Sequence, residues 1–341
     1  MNIDFVITWV DGNDPEWRKE KDKYSVNRLS DANKLRYRDW DNLKYWFRGV
    51  ETFAPWVNKI FFVTWGHYPD WLNIDNPKLN IVKHEDFIPN EYLPTFSSIA
   101  IDMNFHRISE LSEYFVYFND DMFLTLPTKP SDFFVDGLPC DAAVENALYF
   151  GADLNQSKAE INMGKLFLAP ALDMLVINKH FNKKEVMRNN RTKWMSYKYG
   201  LAVLRTLLLQ PWRHFTGFMS YHLPYSYLKS TYEEVWRLEH GILDESCKAK
   251  FRTVVGINHW VFSYWQLAKG SFYPRNPKVG KLFGLYNEQN RNKEAIEAVK
   301  YQKYKMVCLN DEVTDSNFEH VRDALNQEFE RILPKKSSFE L

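Results

Sequence analysis

The chain has 341 residues, 45% of them hydrophobic, with 44 basic and 44 acidic side chains and a formal net charge of zero. This apolar content can fill a sizeable core and argues against a disordered protein, and the balanced charge gives no reason to expect a nucleic-acid partner. The three cysteines, Cys140, Cys247 and Cys308, are an odd number at long spacings, which fits neither a disulfide framework nor a CxxC-type zinc site and predicts a cytoplasmic protein.

The N-terminal run MNIDFVITWVDG starts directly on a strand-like segment and lacks the features of a signal peptide. The most apolar window, LAVLRTLLL at 201–209, is only about half of the ~20 residues that a membrane-spanning helix needs, and it carries Arg205. We therefore expect neither export nor a transmembrane helix.

Strand-like and helix-like segments alternate in the first third of the chain. Four segments have the β-branched and aromatic composition of strands: 3–10, 59–65, 79–86 and 114–118. Two segments between them carry apolar residues at helical spacing: 43–54 and 99–108. This order predicts an α/β fold, with an open, mostly parallel sheet flanked by helices.

Polar residues follow the predicted strands at positions where parallel sheets bind ligands. Asp11, Thr64 and Asp120 all come at the carboxyl ends of strands, and these ends meet at one edge of a parallel sheet. The strand in SEYFVYFNDD (112–121) ends on two adjacent carboxylates, Asp120 and Asp121, so we expect the chemistry of the protein at this edge.

Residues 150–215 have no clear strand pattern and are predicted to form a mainly helical insertion between two parts of a catalytic domain, 1–149 and 216–341. The insertion mixes basic and aromatic residues, which is compatible with a membrane or acceptor contact, but an ordinary, partly buried helix with outward-reaching Lys and Arg side chains is the favoured interpretation. Helices are also predicted at 233–247 and 257–270. Near the C-terminus, Ser316 and Glu319 have the spacing of a capping box, followed by a helix up to Pro334.

Paired acids after a strand are a common way to hold Mg²⁺ or Mn²⁺ against a diphosphate, because hard cations prefer carboxylate oxygens. A plain turn or a helix cap is the alternative for Asp120 and Asp121. A second Asn-Asp pair, Asn310-Asp311, again follows an apolar run, so the two elements could converge on one ion.

His222 precedes Leu223-Pro224 and suits acid-base chemistry near neutral pH, although a lone histidine is more often structural. Arginines can bind phosphate oxygens through their planar fork, and surface salt bridges are the alternative for each of the candidates Arg36, Arg38, Arg48 and Arg252. The signatures of P-loop, esterase and dinucleotide-binding proteins are missing from the sequence.

Four blocks, in order, resemble the four regions of the Stealth phosphotransferases: IDFVITWVDGNDPEW (3–17), residues 36–124 from RYRDWDNLKYWFRG to YFVYFNDDMFL, residues 222–256 from HLPYSYLK to FRTVVG, and residues 307–340 from VCLNDEVTD to ILPKKSSFE. The resemblance implies a nucleotide-sugar transferase-like fold. It also implies transfer of a hexose-1-phosphate or N-acetylhexosamine-1-phosphate from a UDP-sugar to a sugar hydroxyl, with release of UMP. The product would be a phosphodiester in a capsular or cell-surface polysaccharide.

The resemblance also implies roles for individual positions. Asp120 and Asp121 fall on the family's paired acids, His222 on the histidine of its HxP motif, Arg252 on the basic residue that follows, and Asn310-Asp311 on its CLND element. We expect Asp120, Asn310 and Asp311 to hold Mg²⁺ or Mn²⁺, Asp121 or else His222 to act as the base, and Arg252 to contact phosphate. The nucleotide sugar is expected to contact Trp9, Val10, Asp11, Gly12, Asn13, Arg38, Thr95, Ser97 and Asn119.

Lys44, Trp65, His67 and Ser98 depart from the family pattern, which leaves the identity of the sugar open. An ordinary metal-dependent glycosyltransferase that releases UDP is the alternative enzyme, and a non-catalytic carbohydrate-binding protein is disfavoured because Asp120, Asp121 and Asp311 are present. The expected acceptor is an oligosaccharide or a lipid-linked glycan at the inner face of the bacterial membrane. A peripheral membrane contact and a homodimer are further expectations.

Overall fold

The computed structural model describes residues 1–25, 37–148, 169–253, 256–314 and 316–341. The strands in these ranges are β1 (Ile3–Thr8), β2 (Ile60–Thr64), β3 (Leu79–Lys83), β4 (Tyr114–Phe118), β5 (Met122–Leu124), β6 (Phe134–Val135), β7 (Leu138–Asp141), β8 (Tyr225–Leu228), β9 (Tyr273–Pro274), β10 (Gly280–Leu285) and β11 (Met306–Asp311). The helices are α1 (Pro15–Tyr24), α2 (Leu43–Phe53), α3 (His84–Phe87), α4 (Ser98–Asp102), α5 (Ala169–His180), α6 (Lys183–Asn189), α7 (Arg191–Trp194), α8 (Val203–Leu208), α9 (Lys229–Leu238), α10 (His240–Lys248), α11 (Trp260–Lys269), α12 (Gln289–Lys300) and α13 (Phe318–Ile332).

The main sheet has the strand order β3-β2-β1-β4-β8. Its first four strands are parallel, and β8 pairs antiparallel with β4 at the edge. The register places Phe5 of β1 beside Ile60 of β2 and Val116 of β4. The predicted α/β class, with a mostly parallel sheet flanked by helices, is confirmed.

The sheet is buried on both faces because successive side chains of a strand point in opposite directions. Val6 of β1 packs in one hydrophobic cluster with helices α5, α9 and α11, whereas Phe5 and Ile7 pack in a second cluster with α2, α12 and α13. Side chains such as Phe5, Phe61 and Phe115 are at most 1% exposed. This double burial explains why the strand segments read as continuous apolar runs.

A second sheet contains Asn310-Asp311 and places this pair near Asn119-Asp120-Asp121. It has the order β10-β11-β5, with β10 and β11 parallel and β5 antiparallel to β11. β5 follows β4 directly after Asn119-Asp120-Asp121, and Met122 lies opposite Cys308 of β11. A small third sheet has the order β6-β7-β9.

Two predicted helices are interrupted in the structure. The segment predicted as one helix from 99 to 108 contains α4 and a separate 3-10 turn at Phe105–Arg107. The buried Asn104 amide donates to the Ala100 carbonyl oxygen at 2.7 Å, and such a local bond competes with the helical ladder. The predicted helix at 233–247 is divided into α9 and α10 at Glu239, whose carboxylate is bound by Lys179 and His180 of α5.

The predicted capping box near the C-terminus is wrong, although the helix itself is confirmed as α13. The helix begins at Phe318, so Asn317 is the N-cap residue, and its side chain makes no capping bond. Ser316 lies one position too early, and its hydroxyl is 3.1 Å from that of Thr314.

The described part of the segment 150–215 is mainly helical and packs on the main core. Helices α5 to α8 lie in it, and Ile177, Trp194 and Phe215 belong to the same hydrophobic cluster as Val6 of β1. The division of the chain into a catalytic domain and an insertion stays a prediction, and residues 149–168 lie outside the described ranges. Within those ranges, no helix combines the length and apolar character that a bilayer crossing requires.

Candidate active site

A cleft of about 810 Å³ opens at the carboxyl ends of the parallel strands. The cleft lies beside the central strand β1, which has β2 as its neighbour on one side and β4 on the other. The strand order changes direction at this point, and α/β sheets bind ligands where it does. Most of the predicted site positions line it: Trp9, Val10, Arg38, Thr95, Asn119, Asp120, Asp121, His222, Arg252, Asn310 and Asp311. Four predicted positions are not among the lining residues: Asp11, Gly12, Asn13 and Ser97.

Asp121 is held where the two sheets meet. Its backbone carbonyl oxygen accepts a bond from the Leu309 amide at 2.9 Å, and its Oδ2 accepts a bond from the Cys308 thiol at 3.2 Å. Its other carboxylate oxygen, Oδ1, is buried and has no hydrogen-bond partner among the described residues. The two Asn-Asp elements, which are far apart in sequence, are therefore brought together here, and one carboxylate oxygen is left unsatisfied.

Asp120 is exposed to solvent and lines the cleft. Partial loss of solvation and, second, the negative charge of the adjacent Asp121 raise the pKa of Asp120 above its usual range. Adjacent carboxylates that disfavour each other's charge are an arrangement that a bound cation would relieve.

His222 faces this acidic pair from the β8 side. Its Nε2 is 3.5 Å from the Asn119 amide nitrogen, which is a weak contact, and its Nδ1 is 3.2 Å from the Tyr225 hydroxyl. The backbone of His222 has a φ of 47°, in the left-handed region that non-glycine residues rarely adopt. Such a conformation persists only where the surrounding structure enforces it. A ring nitrogen of His222 lies within 4.8 Å of a carboxylate oxygen of Asp121.

Two arginines of the cleft have different partners. Arg252 donates to the Ser98 hydroxyl at 2.9 Å. Arg38 forms a fork with Asp311, in which its Nη2 lies 2.9 and 2.7 Å from the two carboxylate oxygens, and Trp40 Nε1 also donates to Asp311 at 3.1 Å. The predicted metal ligand Asp311 is thus engaged by Arg38. Of the other candidates, Arg48 is buried and paired with Glu330 and Glu340, and Arg36 lies outside the described residues.

The loop after β1 is braced by His67. The Asp11 amide donates to His67 Nε2 at 2.8 Å, so this nitrogen is the acceptor and Nδ1 donates to Asp14, 3.0 Å away. Asp14 in turn caps α1. Gly12 is required for packing, because a Cβ there would collide with the Tyr37 carbonyl oxygen.

The remaining predicted positions of this loop and of the LPTFSS loop have local roles. The Asn13 side chain accepts a bond from Arg18 at 2.6 Å. Thr64 is buried and donates to the His67 carbonyl oxygen at 2.6 Å. Ser97 is buried, and its amide donates to the Thr95 hydroxyl at 3.2 Å.

An aromatic cluster joins the loops that frame the cleft. Trp17 packs on Tyr37 and Phe96, and Phe96 stacks on Phe251 at 5.3 Å between ring centres. The Phe96 amide also bonds to the Lys250 carbonyl oxygen at 2.8 Å. Segments from four separated parts of the chain are therefore fixed against one another beside Arg252.

Asp102 is a residue of the cleft that the sequence reasoning missed. It is 4% exposed, lines the cleft and accepts a bond from the Tyr117 hydroxyl at 2.8 Å. Burial raises its pKa to about 7, against the opposing effects of the Tyr117 bond and the Arg252 charge. The available signal was a carboxylate between Ile101 and Met103 in a predicted apolar helix.

His259 is the second such residue. It lies between Tyr117 and Tyr225, and its Nδ1 is 2.8 Å from the Tyr227 hydroxyl. Burial, with the charges of His222 and Arg252, holds its pKa well below the usual range, so its ring is neutral.

The residues of the cleft could hold a cation. The ligand atoms of Asp121, His222 and Cys308 all lie within 4.8 Å of one another. Burial and the Asp121 charge keep the pKa of the Cys308 thiol well above its usual range, so the thiol stays protonated and is a poor ligand. The oxygens of Asp120 and Asp121, including the unsatisfied Oδ1, together with Asn310, fit a hard cation better.

The chain matches known proteins over nearly its full length. Three family models match it: Stealth conserved region 1 over residues 1–27, region 2 over 36–140 and region 4 over 297–341. The capsular polysaccharide phosphotransferase WcwK of Streptococcus pneumoniae is 42% identical over 341 residues, which cover 99% of this chain and 98% of the relative. The chain belongs to the Stealth family. The match to region 2 includes Asp120 and Asp121, and the match to region 4 includes Asn310 and Asp311. Residues 222–256 lie between these two matches.

Other relatives are similar over nearly the same length. The receptor polysaccharide phosphotransferase WefC of Streptococcus gordonii is 41% identical over 99% of each chain, and the exopolysaccharide phosphotransferase cps2G of Lactiplantibacillus plantarum is 37% identical over 100% of this chain and 96% of the relative. The solved glycosyltransferase GlyE of Streptococcus pneumoniae aligns with 95% of this chain and 84% of its own at 10% identity, with a TM-score of 0.25 that supports no argument.

Proposed function

We propose that this Stealth protein transfers hexose-1-phosphate or N-acetylhexosamine-1-phosphate from a UDP-sugar to a sugar hydroxyl during synthesis of a capsular or cell-surface polysaccharide. The observation that carries the proposal is the similarity over 99% of the chain to relatives named as polysaccharide phosphotransferases. The cleft supports it, because it gathers acids, a histidine and an arginine at the ligand-binding edge of the sheet.

In the proposed reaction the acceptor oxygen attacks the phosphorus that carries the sugar. A bond forms between that oxygen and phosphorus, the bond from phosphorus to the bridging oxygen of the diphosphate breaks, and UMP leaves. The hydroxyl proton passes to a base, and the sugar keeps its anomeric bond. Such a reaction depends mainly on positioning and on neutralising charge, which suits a site of fixed polar groups.

Asp121 is the proposed base, and His222 is the alternative. The unsatisfied Oδ1 of Asp121 supports the first assignment, because it has no bond to lose when it accepts a proton. The ring of His222, held between Asn119 and Tyr225, supports the second. Asp102 also lines the cleft and is a further candidate for proton transfer, although its carboxylate is already bonded to Tyr117.

Arg252 is proposed to contact phosphate oxygens, with Ser98 orienting its guanidinium group. Arg38 is proposed to act mainly by fixing Asp311 beside the cleft, since both oxygens of that carboxylate contact it. Asp120 and Asn310 would hold Mg²⁺ or Mn²⁺, which would supply positive charge to the diphosphate, and Asp121 would join them only if His222 is the base. Trp9 and Val10 are proposed to line the uridine side, and Thr95 the sugar side.

The second candidate is a glycosyltransferase that uses the same donor and releases UDP. It is kept because strand-end acids in an α/β cleft suit either reaction. Incubating the purified protein with UDP-hexoses, Mg²⁺ and an oligosaccharide acceptor, then separating nucleotides by anion exchange, distinguishes the two. We expect acceptor-dependent UMP, and acceptor-dependent UDP would overturn the proposal. The predicted homodimer requires a separate measurement of mass in solution.

A further inference from the structure

The segment 197–212 carries an uncovered apolar surface. Six of the fifteen exposed large hydrophobic side chains among the described residues lie in it: Tyr197, Leu201, Leu204, Leu207, Leu208 and Trp212, here called the leucine surface. Tyr197 is 88% exposed and Leu201 84%, so these side chains face solvent almost completely. Apolar groups concentrated in this way on a protein surface mark an interaction site.

All charged side chains within the chain segment that carries the leucine surface are basic. No acidic residue occurs between Glu185 and Glu233, although 44 of the 341 residues of the chain are acidic. Arg205 and Arg213 are exposed within or beside the surface. Exposed leucines and a tryptophan among cations are typical of protein faces that lie in the headgroup region of an anionic bilayer.

The leucine surface stands on a preformed support. On its inner side, Thr206 is buried, and its hydroxyl accepts a bond from the Glu145 amide at 3.0 Å. Lys183 forms a buried ion pair with Glu145 at 2.7 Å and donates to the Leu209 carbonyl oxygen at 2.6 Å. The segment that carries the exposed leucines is therefore fixed to the rest of the protein by buried contacts, and the leucine surface can bind a partner without refolding.

A second copy of the chain fits this surface less well than a membrane. In a two-fold dimer built on the leucine surface, the same patch would face itself, so Arg205 and Arg213 would meet cations rather than anions. We infer that the leucine surface docks the protein on an anionic lipid bilayer. His222 follows the surface closely in the chain, so the docking face and the cleft are parts of one continuous segment.

Vesicle flotation tests this inference without measuring catalysis, so its failure is distinct from failure of the proposed reaction. The full chain is mixed with vesicles of phosphatidylglycerol and phosphatidylcholine, or of phosphatidylcholine alone. We expect flotation only with the anionic vesicles, and its loss at about 1 M salt, where charges are screened beyond ~3 Å. The double variant Leu201→Glu/Leu208→Glu should bind at least about tenfold more weakly, and Arg205→Ala about fivefold more weakly.

The matched control is Leu238→Glu/Tyr301→Glu, which adds the same charges at positions that are 39% and 60% exposed elsewhere. It should float like the wild type. The inference is overturned if the wild type does not bind anionic vesicles, or if the two double variants bind them equally well. It is also overturned if the wild type does not float but forms a dimer, and sedimentation velocity shows that the leucine-surface variant is a monomer. Circular dichroism confirms that the variants are folded.

Discussion

Replacing Asp102 by Asn should make the protein more stable at alkaline pH. Asp102 is 4% exposed, and burial raises its pKa from 3.8 to about 7. Above pH 4 the unfolded chain ionises this carboxyl, while the folded protein keeps the proton until about pH 7. Folding therefore loses stability as the pH rises between these values, and the loss is complete above pH 7.

The magnitude follows from the size of the shift. A difference of about 3 pKa units corresponds to about 4 kcal/mol, at 1.36 kcal/mol per unit. Asn is neutral at every pH, and its side-chain oxygen can still accept the Tyr117 hydroxyl bond, but its amide N–H groups lack partners at a cost of about 1–3 kcal/mol. We expect a pH-independent cost together with a gain of about 4 kcal/mol between pH 4 and pH 8.

Urea unfolding of the wild type and of Asp102→Asn at several pH values measures this gain. The variant Asp70→Asn, at an exposed position, controls for loss of one negative charge. If the stability difference between Asp102→Asn and the wild type stays constant from pH 4 to pH 8, Asp102 does not carry the buried proton, and the reasoning is refuted. Since Asp102 lines the cleft, turnover of the variant should fall even where its stability rises.

Lys183→Met should lower the free energy of unfolding by about 3–5 kcal/mol, because Glu145 would remain buried without its partner. The control Lys184→Met, at an exposed position, should change the free energy of unfolding by less than about 0.5 kcal/mol. Equal effects of the two substitutions in urea unfolding would contradict this prediction. Asp121→Asn should lower kcat by roughly 10²–10⁴-fold with an unchanged fold, because Asp121 is the proposed base, and the exposed Asp70→Asn should not. Retained turnover of Asp121→Asn together with loss of turnover in His222→Gln would assign the base role to His222. Chelation by EDTA should abolish turnover and added Mg²⁺ or Mn²⁺ should restore it, and activity that survives chelation would exclude the proposed metal role.

Local sequence patterns were enough to predict the parallel strands and the edge where their ends meet. β1, β2 and β4 are apolar on both faces because both faces are covered, so they read clearly as strands, and the polar residues after them could be placed at one edge. Interruptions by specific side chains were not predictable in this way. The side-chain amide of Asn104, just beyond the end of α4, donates to a carbonyl oxygen of that helix, and residues of α5 bind the carboxylate of Glu239 at the break between α9 and α10.

Ion pairs and hydrogen bonds between residues far apart in the sequence could not be predicted either. Arg38 and Asp311 are far apart in sequence, and no spacing rule connects them, so both were assigned to ligands although they contact each other. Asp102 was not predicted as a site residue because its neighbours in the sequence are apolar. Its place in the site follows only from its hydrogen bond to Tyr117 and its position in the lining of the cleft. The acids after β4 needed no such information, since the strand itself places them at the edge.

The fate of the phosphorus next to the sugar tests the proposed phosphotransfer most directly. UDP-sugar labelled with ³²P at the β-phosphate is incubated with the protein and an oligosaccharide acceptor, and label is then counted in the glycan and nucleotide fractions. Attack at that phosphorus predicts that the label enters the glycan, with unlabelled UMP released in equal amount. Label that remains in UDP while unlabelled sugar joins the glycan would contradict the account.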